Sequence, residues 1–416
     1  MGAVYDRRQP MSNRPDPAIV LPSEDPADRA QRLLRACVHC GFCNATCPTY
    51  ILTGDEREGP RGRLYLMKDL LAGTADDAPL EPLSHCLSCR SCETTCPAGV
   101  RYSEILDVVR ERTQSARSRA QRALDRMVAI ALRARGLLVV IARGARSLRR
   151  FAPKTFKQRV LPCTEGLAWP AARHGRRIGL LIGCVQPALR PDLDVKAAIV
   201  LDHLGVSALA VGPSCCGALP YHLHAHDEGR SAARATLALA AAGDWEGLTS
   251  TASGCTAFLK DYERLFQDTE VAAGARALAA TVSDIAAWID VSHLAKLPRS
   301  QRRLIAWHAP CSLQHALKGA GRVEQILLAL GHTLVTITDD ALCCGSAGPY
   351  SLRHPRLAAA LGRRKWRALT GAHPDMVVTA NIGCQQHLAR HGDRPVHHWL
   401  DLVYDALTNR DTTDPG

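Results

Sequence analysis

Two cysteine quartets with the same spacing constrain the fold of this chain more than any other feature. Each reads C-x2-C-x2-C-x3-C-P, and together they comprise Cys37, Cys40, Cys43 and Cys47, then Cys86, Cys89, Cys92 and Cys96. Three thiolates at this spacing wrap one face of a cubane 4Fe-4S cluster, while the fourth, followed by proline, is carried away to ligate another cluster. The sequence therefore predicts two 4Fe-4S clusters.

The expected ligand sets are crossed between the quartets. We predict one cluster on Cys37, Cys40, Cys43 and Cys96, and the other on Cys47, Cys86, Cys89 and Cys92. A pair of structural zinc sites is the alternative, because four cysteines in C-x2-C pairs also suit tetrahedral zinc. Two complete quartets, each ending in Cys-Pro, favour iron-sulfur clusters over zinc.

Helices are predicted around the quartets. The segment Arg63–Leu71 has apolar residues at helical spacing, with Gly73 as its stop, and another helix is expected over Ser103–Arg112. Helices in place of a small β-sheet indicate an α-helical ferredoxin domain, which we place at residues 30–112. The run from Pro60 to Arg63 is either a turn that opens the first helix or a basic group set against cluster charge or a partner.

The sequence carries no export signal or membrane span that we can recognise. Its first 29 residues lack an apolar run, and the longest apolar stretch, Met127–Ala142, is interrupted by Arg133 and Arg135. Seventeen cysteines without an export signal favour metal ligation over disulfides, because the cytosol keeps thiols reduced. We expect a cytoplasmic protein with flexible ends at residues 1–29 and 407–416.

A strongly basic segment follows the quartets. Between Arg110 and Arg159 there are fifteen Lys or Arg residues against two acidic ones, which accounts for the net charge of +12. Arginines mark one helical face, and apolar residues mark another, namely Val109, Ala116, Ala120, Leu124 and Met127. We predict a basic helical linker over residues 113–174 that meets an acidic partner or an anionic membrane surface, or is simply solvated. Sparse aromatic residues argue against nucleic acid as a partner.

The remaining cysteines reveal an internal duplication. Cys184, Cys215, Cys216 and Cys255 align with Cys311, Cys343, Cys344 and Cys384 at offsets of 127, 128, 128 and 129 residues. Buried strands are predicted before them at residues 178–182, 206–211 and 248–251, then 304–307, 333–337 and 376–379. Ala-rich helical segments lie between, so we predict two parallel α/β lobes, at residues 175–300 and 301–406, with the cysteines at strand carboxyl ends.

These eight cysteines are candidate metal ligands. Glycine after each Cys-Cys pair permits the backbone to bend close to a bulky cofactor, whereas the alternative is that the thiols are simply buried in the core. Cys163 stands alone, and we predict that it is passive. Four histidines lie near these cysteines in the sequence and either serve cluster chemistry or are polar loop residues, namely His222, His224, His226 and His308.

With both halves in view, the chain resembles the iron-sulfur subunits of bacterial glycolate oxidase, also called glycolate dehydrogenase. The resemblance covers residues 32–402 and rests on CVHCGFCNATCPTY, GPRGRLYLMKDLL, CLSCRSCETTCPAGV, the two CCG segments and TANIGCQQHL. Related subunits occur in anaerobic glycerol-3-phosphate dehydrogenase and heterodisulfide reductase. The resemblance implies a multidomain chain in which an α-helical ferredoxin domain precedes a duplicated α/β cysteine-rich (CCG) domain.

The resemblance also implies a division of labour. A separate FAD subunit oxidises glycolate to glyoxylate, and the iron-sulfur subunit carries electrons toward the membrane quinone pool from the inner face of the bacterial cytoplasmic membrane. The chain has no Gly-x-Gly-x-x-Gly fingerprint, so hydride chemistry is expected on the partner. We expect no catalysis from this chain alone.

One departure from the family pattern concerns the lobes. The full CCG motif ends in C-x-x-C, but Phe258 and His387 occupy the last position here. This argues against the unusual clusters of heterodisulfide reductase, while four thiolates in each lobe still suit an ordinary iron-sulfur cluster or none. The alternatives are a lactate or glycerol-3-phosphate dehydrogenase subunit, and a CCG protein that itself reduces a disulfide.

Overall fold

The computed structural model describes residues 25–74, 80–133, 135–149, 161–297 and 301–409. The region with the two quartets is built from helices and turns. Its α-helices are α1 (Pro26–Leu34), α2 (Pro48–Thr53), α3 (Pro60–Ala72), α4 (Glu81–Ser84), α5 (Ser91–Thr95) and α6 (Tyr102–Arg112). Short 3₁₀ turns lie at Phe42–Thr46 and Glu56–Glu58. The predicted helices at Arg63 and Ser103 are present, each starting slightly earlier than expected.

Helix α1 begins inside the segment that we expected to be flexible. The Asp25 side chain accepts a hydrogen bond from the Ala27 backbone N–H at 2.7 Å, which caps the helix. Ala27 and Ala30 are buried against α3 and α6, so the helix has an apolar face to pack. The predicted boundary at residue 30 is therefore too late, whereas residues 1–24 lie outside the described residues.

The basic segment forms two helices, α7 (Arg119–Arg133) and α8 (Arg135–Arg149). Leu124 and Met127, which the sequence assigns to the apolar helical face, are 56% and 61% exposed. The opposite side of α7 packs on the protein, where buried Ala129 contacts Leu223 and Ala225. Asp125 on that side pairs with Arg117 at 2.7 Å. An ion pair and small residues thus take the inward face, and the larger apolar side chains point outward.

Two small parallel sheets follow, as predicted. The strands are β1 (Arg176–Leu181), β2 (Val206–Val211), β3 (Leu248–Thr249), β4 (Leu304–His308), β5 (Thr333–Leu334), β6 (Met376–Thr379) and β7 (Val396–His398). Their orders are β2-β1-β3 and β5-β4-β6-β7, so the first three strands of each lobe have the same arrangement. Strands β3 and β5 are shorter than expected, and β7 extends the second sheet beyond the duplicated unit.

Helices surround these sheets. In the first lobe they are α9 (Gln186–Leu189), α10 (Pro191–His203), α11 (Ala218–His222), α12 (His226–Ala241), α13 (Ser253–Lys260), α14 (Tyr262–Leu265), α15 (Ala272–Thr281) and α16 (Val291–Leu294). In the second lobe they are α17 (Arg322–Ala329), α18 (Tyr350–Arg353), α19 (Pro355–Thr370), α20 (Ile382–Leu388) and α21 (Trp399–Thr408). The two lobes share one hydrophobic core, in which Leu193 of α10 and Trp399 of α21 are both fully buried.

The helices of the described residues are short or carry many charges. None of them combines the length and the apolar character needed to cross a bilayer.

Candidate metal centres

The first predicted set of cluster ligands converges on one small cavity. Cys37, Cys40 and Cys43 line it from the first quartet, and Cys96 reaches it from the end of the second. Cys96 follows α5, and its backbone N–H bonds to the Glu93 carbonyl at 3.3 Å before the chain turns away. The cavity therefore gathers the crossed set of four thiols, while their ligation of a cluster stays a prediction.

The second predicted set lines a separate cavity. Cys86, Cys89 and Cys92 come from the second quartet, and Cys47 joins them from the first. Cys47 directly precedes α2, whose first residue, Pro48, has no N–H to satisfy. Cys92 also lines the first cavity, so the two cavities are neighbours.

Left-handed residues shape both cysteine loops. His39 and Gly41 flank Cys40 with φ angles of 55° and 83°, and Ser88 and Arg90 flank Cys89 with φ angles of 53° and 62°. In the second loop, the backbone N–H of Ser88 lies 3.4 Å from the Cys86 sulfur. Successive turns of this kind direct backbone N–H groups toward an anionic centre. These loops therefore suit a negatively charged cluster.

The thiols at these cavities are costly to ionise without a metal. Burial raises the pKa of the Cys43 thiol to about 11, and nearby Cys37 adds to the rise. Burial also raises the pKa of Cys89 and of Cys92 well above the ordinary value. Metal ligation requires thiolates, which bound iron ions stabilise. All the quartet cysteines are free thiols within the described part of the chain. The donor set thus fits iron-sulfur clusters.

The Pro60–Arg63 run opens a helix, as one of the two alternatives predicts, and it also places a buried arginine near Cys47. Pro60 opens α3, while Arg63 is only 1% exposed. Its guanidinium lies 3.8 Å from the Cys47 sulfur and donates to Glu58 at 2.9 Å. A buried positive charge next to this predicted cluster ligand stabilises negative charge on the sulfur, and groups in such positions tune metal-site potentials.

The lobe cysteines lie beyond the carboxyl ends of the parallel strands, as the sequence predicts. Cys184 and Cys311 follow β1 and β4, and the two Cys-Cys pairs follow β2 and β5. Cys255 and Cys384 lie in α13 and α20, after the third strand of each lobe. The Cys344 and Cys384 sulfurs are 3.3 Å apart.

One cavity of about 440 Å³ connects the three groups of cysteines. The second quartet contributes Cys86 and Cys89 to its lining. The first lobe contributes three cysteines and the second lobe contributes four, namely Cys184, Cys216 and Cys255, then Cys311, Cys343, Cys344 and Cys384. Of the eight lobe cysteines, all of which are described, only Cys215 is absent from this lining. The helical domain and both lobes therefore meet around one space.

The two lobes contact the helical domain in different ways. The first lobe forms ion pairs with it, including Arg264 to Asp107 at 2.8 Å and Arg230 to Glu111 at 2.7 Å. The second lobe instead contacts it through an apolar cluster that contains Leu87 and Cys343. Cys89 packs against this cluster, so a cysteine of the second quartet and a cysteine of the second lobe share one apolar contact region.

The glycine of each CCG segment has a role that we did not predict. Gly217 and Gly345 have φ angles of 93° and 89°. A Cβ on Gly217 would lie 2.4 Å from the Gly229 carbonyl oxygen, and one on Gly345 would lie 2.8 Å from that of Ala358. Each glycine is thus required by a close approach to a neighbouring helix. Its N–H also lies near the first thiol of the pair, at 3.4 Å for Cys215 and 3.5 Å for Cys343.

Two positions occupied by cysteine in the full CCG motif have other roles here. Phe258 is buried in the core of the first lobe. The His387 ring is buried, and its Nε2 atom lies 3.1 Å from the Ala358 carbonyl oxygen. Cys163 is half-buried, and burial raises its pKa.

Neither the sequence pattern nor the duplication could identify Arg63 as a contact of Cys47, because that contact depends on the tertiary packing of α3.

A helical domain with two thiol-lined cavities, joined to two thiol-bearing parallel lobes, defines an iron-sulfur protein with a duplicated cysteine-rich domain. Comparison with known families agrees. The 4Fe-4S dicluster domain family matches residues 33–100, and the cysteine-rich domain family matches residues 178–260 and 305–389.

Comparison with two curated relatives and one solved structure identifies the family of the chain more specifically. It is 43% identical over 394 residues to the glycolate oxidase iron-sulfur subunit of Escherichia coli K12, covering 91% of this chain and 95% of that protein. It is 27% identical to the probable glycolate oxidase iron-sulfur subunit of Bacillus subtilis 168, covering 84% and 86%. A crystal structure of a hypothetical protein from Helicobacter pylori superposes with a TM-score of 0.51 at 10% identity, covering 92% of this chain and 72% of that one, which shows a shared fold. The chain belongs to the family of glycolate oxidase iron-sulfur subunits.

Proposed function

We propose that this chain is the electron-transfer subunit of a glycolate oxidase complex. It accepts electrons from a partner subunit whose FAD oxidises glycolate to glyoxylate, and it passes them toward membrane quinone. The observation that carries the proposal is the convergence of cysteines from the helical domain and both lobes on one cavity. The 43% identity to a glycolate oxidase iron-sulfur subunit supports glycolate as the substrate of the complex.

The proposed relay has a definite order. Cys92 lines both cluster cavities of the helical domain, so these two sites are neighbours in the chain of carriers. Cys89 of the second site packs beside Cys343 of the second lobe. Oxidation of glycolate releases two electrons and two protons to the flavin, whereas a 4Fe-4S cluster carries one electron at a time. The chain thus converts a two-electron oxidation into single-electron steps that end at a two-electron quinone acceptor.

The test uses the chain loaded anaerobically with iron and sulfide, with and without its flavoprotein partner. We expect glycolate to reduce the cluster absorbance and produce a cluster EPR signal only when the flavoprotein is present, because the chain has no flavin fingerprint of its own. Reduction by glycolate without the partner contradicts the proposal. Faster reduction with lactate or glycerol-3-phosphate than with glycolate would instead favour a related dehydrogenase.

The competing disulfide-reductase function places catalysis at the two Cys-Cys pairs. Serine at Cys215, Cys216, Cys343 or Cys344, made singly, would then abolish disulfide reduction while both helical-domain clusters stay intact. The missing final cysteines argue against this function, since Phe258 and His387 are packed into the protein.

We further propose that the complex meets the membrane through the exposed face of α7. Leu124, Met127 and Ile130 are 56%, 61% and 55% exposed and lie on one face at helical spacing. Arg119 and Arg122 lie beside this face in the helix, and Arg126 pairs with Glu228 of the first lobe at 2.6 Å. An outward apolar stripe beside arginines suits the interface of an anionic bilayer, because apolar side chains enter the headgroup boundary while the cations contact lipid phosphates.

Vesicle binding tests this docking surface. Leu124→Glu with Met127→Glu is expected to weaken binding to phosphatidylglycerol vesicles by at least about 10-fold, because two apolar side chains are replaced by charges that anionic lipid repels. The control is Leu328→Glu, which changes a side chain that is 55% exposed on α17 of the second lobe. Sedimentation with vesicles measures both variants. Equal binding of the double variant and wild type, or equal binding to neutral and anionic vesicles, contradicts this surface.

A further inference from the structure

His308 is a buried histidine whose ring has no hydrogen-bonding partner among the described residues. It is the last residue of β4 and is 1% exposed. Neither Nδ1 nor Nε2 bonds to any group in that part of the chain, although both atoms are buried. An imidazole carries a donor and an acceptor, and burying both without partners is unfavourable. Some group is therefore expected to engage this ring in the functional protein.

The ring faces thiols. A His308 nitrogen and the sulfurs of Cys344 and Cys384 all lie within 4.8 Å of one another. Cys311 and Cys343 line the same cavity as those two cysteines. Imidazole nitrogen and thiolate sulfur are both ligands for iron and zinc. The second lobe thus places one imidazole nitrogen beside two of its four thiols, and the other two thiols line the adjoining cavity.

The first lobe does not offer this combination. Leu181 stands three residues before Cys184, at the position that His308 holds before Cys311. Leu181 is fully buried in the hydrophobic core of the first lobe. In the second lobe, His387 stands at the position of the missing final cysteine, and its Nε2 atom lies 3.1 Å from the Ala358 carbonyl oxygen. The two lobes are therefore chemically unequal despite their duplication.

One further observation favours a redox-active centre over zinc, and another favours an anionic thiolate centre. Cys343 and Cys311 pack in the apolar cluster that includes Cys89 of the helical domain, so the second lobe adjoins the proposed relay. The Lys365 ammonium is buried, and its charge acts on both His308 and Cys384. A buried cation stabilises the negative charge of a thiolate-ligated cluster.

We propose that the second lobe binds a third iron-sulfur centre and that His308 is its nitrogen ligand. The inference rests on the proposed electron-transfer function, and it assigns the first lobe no such centre. His308 supplies a donor that this lobe otherwise lacks, because His387 stands at the position of the final cysteine of the full CCG motif. Because histidine in place of cysteine raises the potential of an iron-sulfur centre, this lobe would attract electrons from the helical domain.

The test uses the complete, anaerobically reconstituted chain with ¹⁵N-labelled histidine. We expect iron beyond the roughly eight atoms of two 4Fe-4S clusters and an additional EPR signal with nitrogen coupling that changes on ¹⁵N labelling. His308→Cys should keep the extra iron, lose the nitrogen coupling and shift the potential of that signal to a lower value. His308→Ala should lose the coupling and most of the extra iron.

His332→Ala is the matched control, since His332 is also buried in the second lobe with an Nδ1 that bonds to none of the described residues. It should leave every cluster signal unchanged. The inference is overturned if the wild type contains zinc in place of the extra iron, has iron for two clusters only, or keeps its nitrogen coupling in His308→Cys. Failure of the proposed function can be distinguished from failure of this inference. Glycolate and the flavoprotein would then leave the helical-domain clusters oxidised, whatever the second lobe contains.

Discussion

Cys89→Ser is expected to abolish electron transfer through the chain while leaving glycolate oxidation at the flavin intact. Cys89 lines both the second cluster cavity and the large cavity shared with the lobes. Loss of a thiolate ligand should remove about four of roughly eight helical-domain irons. The loss of quinone reduction should exceed the roughly 10- to 100-fold cost of removing a group that merely supports a metal ligand. Iron analysis and glycolate-driven quinone reduction measure the two effects.

The same approach tests the crossed ligand sets. Cys47→Ser should eliminate the EPR signal that Cys89→Ser eliminates, although Cys47 belongs to the other quartet. Cys96→Ser should instead eliminate the signal lost in Cys40→Ser. These pairings follow from the two cavities, because the lining of each includes three thiols of one quartet and the last thiol of the other. Loss of one signal in both Cys40→Ser and Cys47→Ser, with the other signal intact, would contradict the crossed arrangement.

Cys163→Ser serves as the control for these variants. Cys163 is half-buried and lies in the lining of none of the three cavities described above. Iron content and quinone reduction should match the wild type. In each quartet variant, survival of the other cluster signal shows that the helical domain still folds, so a loss of turnover can be assigned to the missing cluster. Full quinone reduction by Cys89→Ser would exclude the second cluster from the relay.

The sequence was most informative where spacing itself carries the chemistry. Three thiols separated by two residues can reach one cubane face, and matching cysteine offsets are by themselves enough to reveal a duplication. Runs such as 178–182 and 376–379 predicted strands because buried parallel strands are continuously apolar. The short strand β7 was missed because its residues Val396–His398 form no comparable apolar run.

Other features depend on tertiary contacts that cannot be inferred from a single sequence. The α7 periodicity correctly indicated an amphipathic helix, but Asp125 takes the inward face through ion pairs with Arg117 and Arg353, the second of which comes from a distant part of the chain. His308 was one of several histidines near cysteines, and only its orphaned ring and proximity to two sulfurs distinguish it. Proximity in sequence could not separate it from His387.

A second large effect is expected at the contact between the lobes, where Asp401→Asn should destabilise the fold. Asp401 of α21 accepts from Arg190 at 2.7 Å and from Lys196 at 2.7 Å, and Arg190 also donates to Asp192 at 2.8 Å. All four side chains are almost fully buried. Removing one carboxylate leaves a buried excess of positive charge, and such losses typically cost about 3–5 kcal/mol in the free energy of unfolding.

The pH dependence of thermal unfolding tests whether the lost charge of Asp401 causes this destabilisation. Burial alone would raise the pKa of Asp401, but Arg190 and Lys196 outweigh it and hold that pKa far below the ordinary range. A carboxyl group whose pKa is lower in the folded state than in the unfolded state stabilises the fold at pH values above its unfolded-state pKa. This contribution is lost only as the pH falls through the acidic range. The difference in thermal midpoint between wild type and Asp401→Asn should therefore stay constant between about pH 5 and pH 8.

An exposed ion pair supplies the control for Asp401→Asn. Asp244 pairs with Arg177 on the surface and is 94% exposed, so the thermal midpoint of Asp244→Asn should equal that of the wild type. Anaerobic thermal unfolding of the reconstituted chain measures both variants. If Asp401→Asn has the same thermal midpoint as Asp244→Asn, the buried network does not hold the two lobes together. Their contact then depends on the shared apolar core alone.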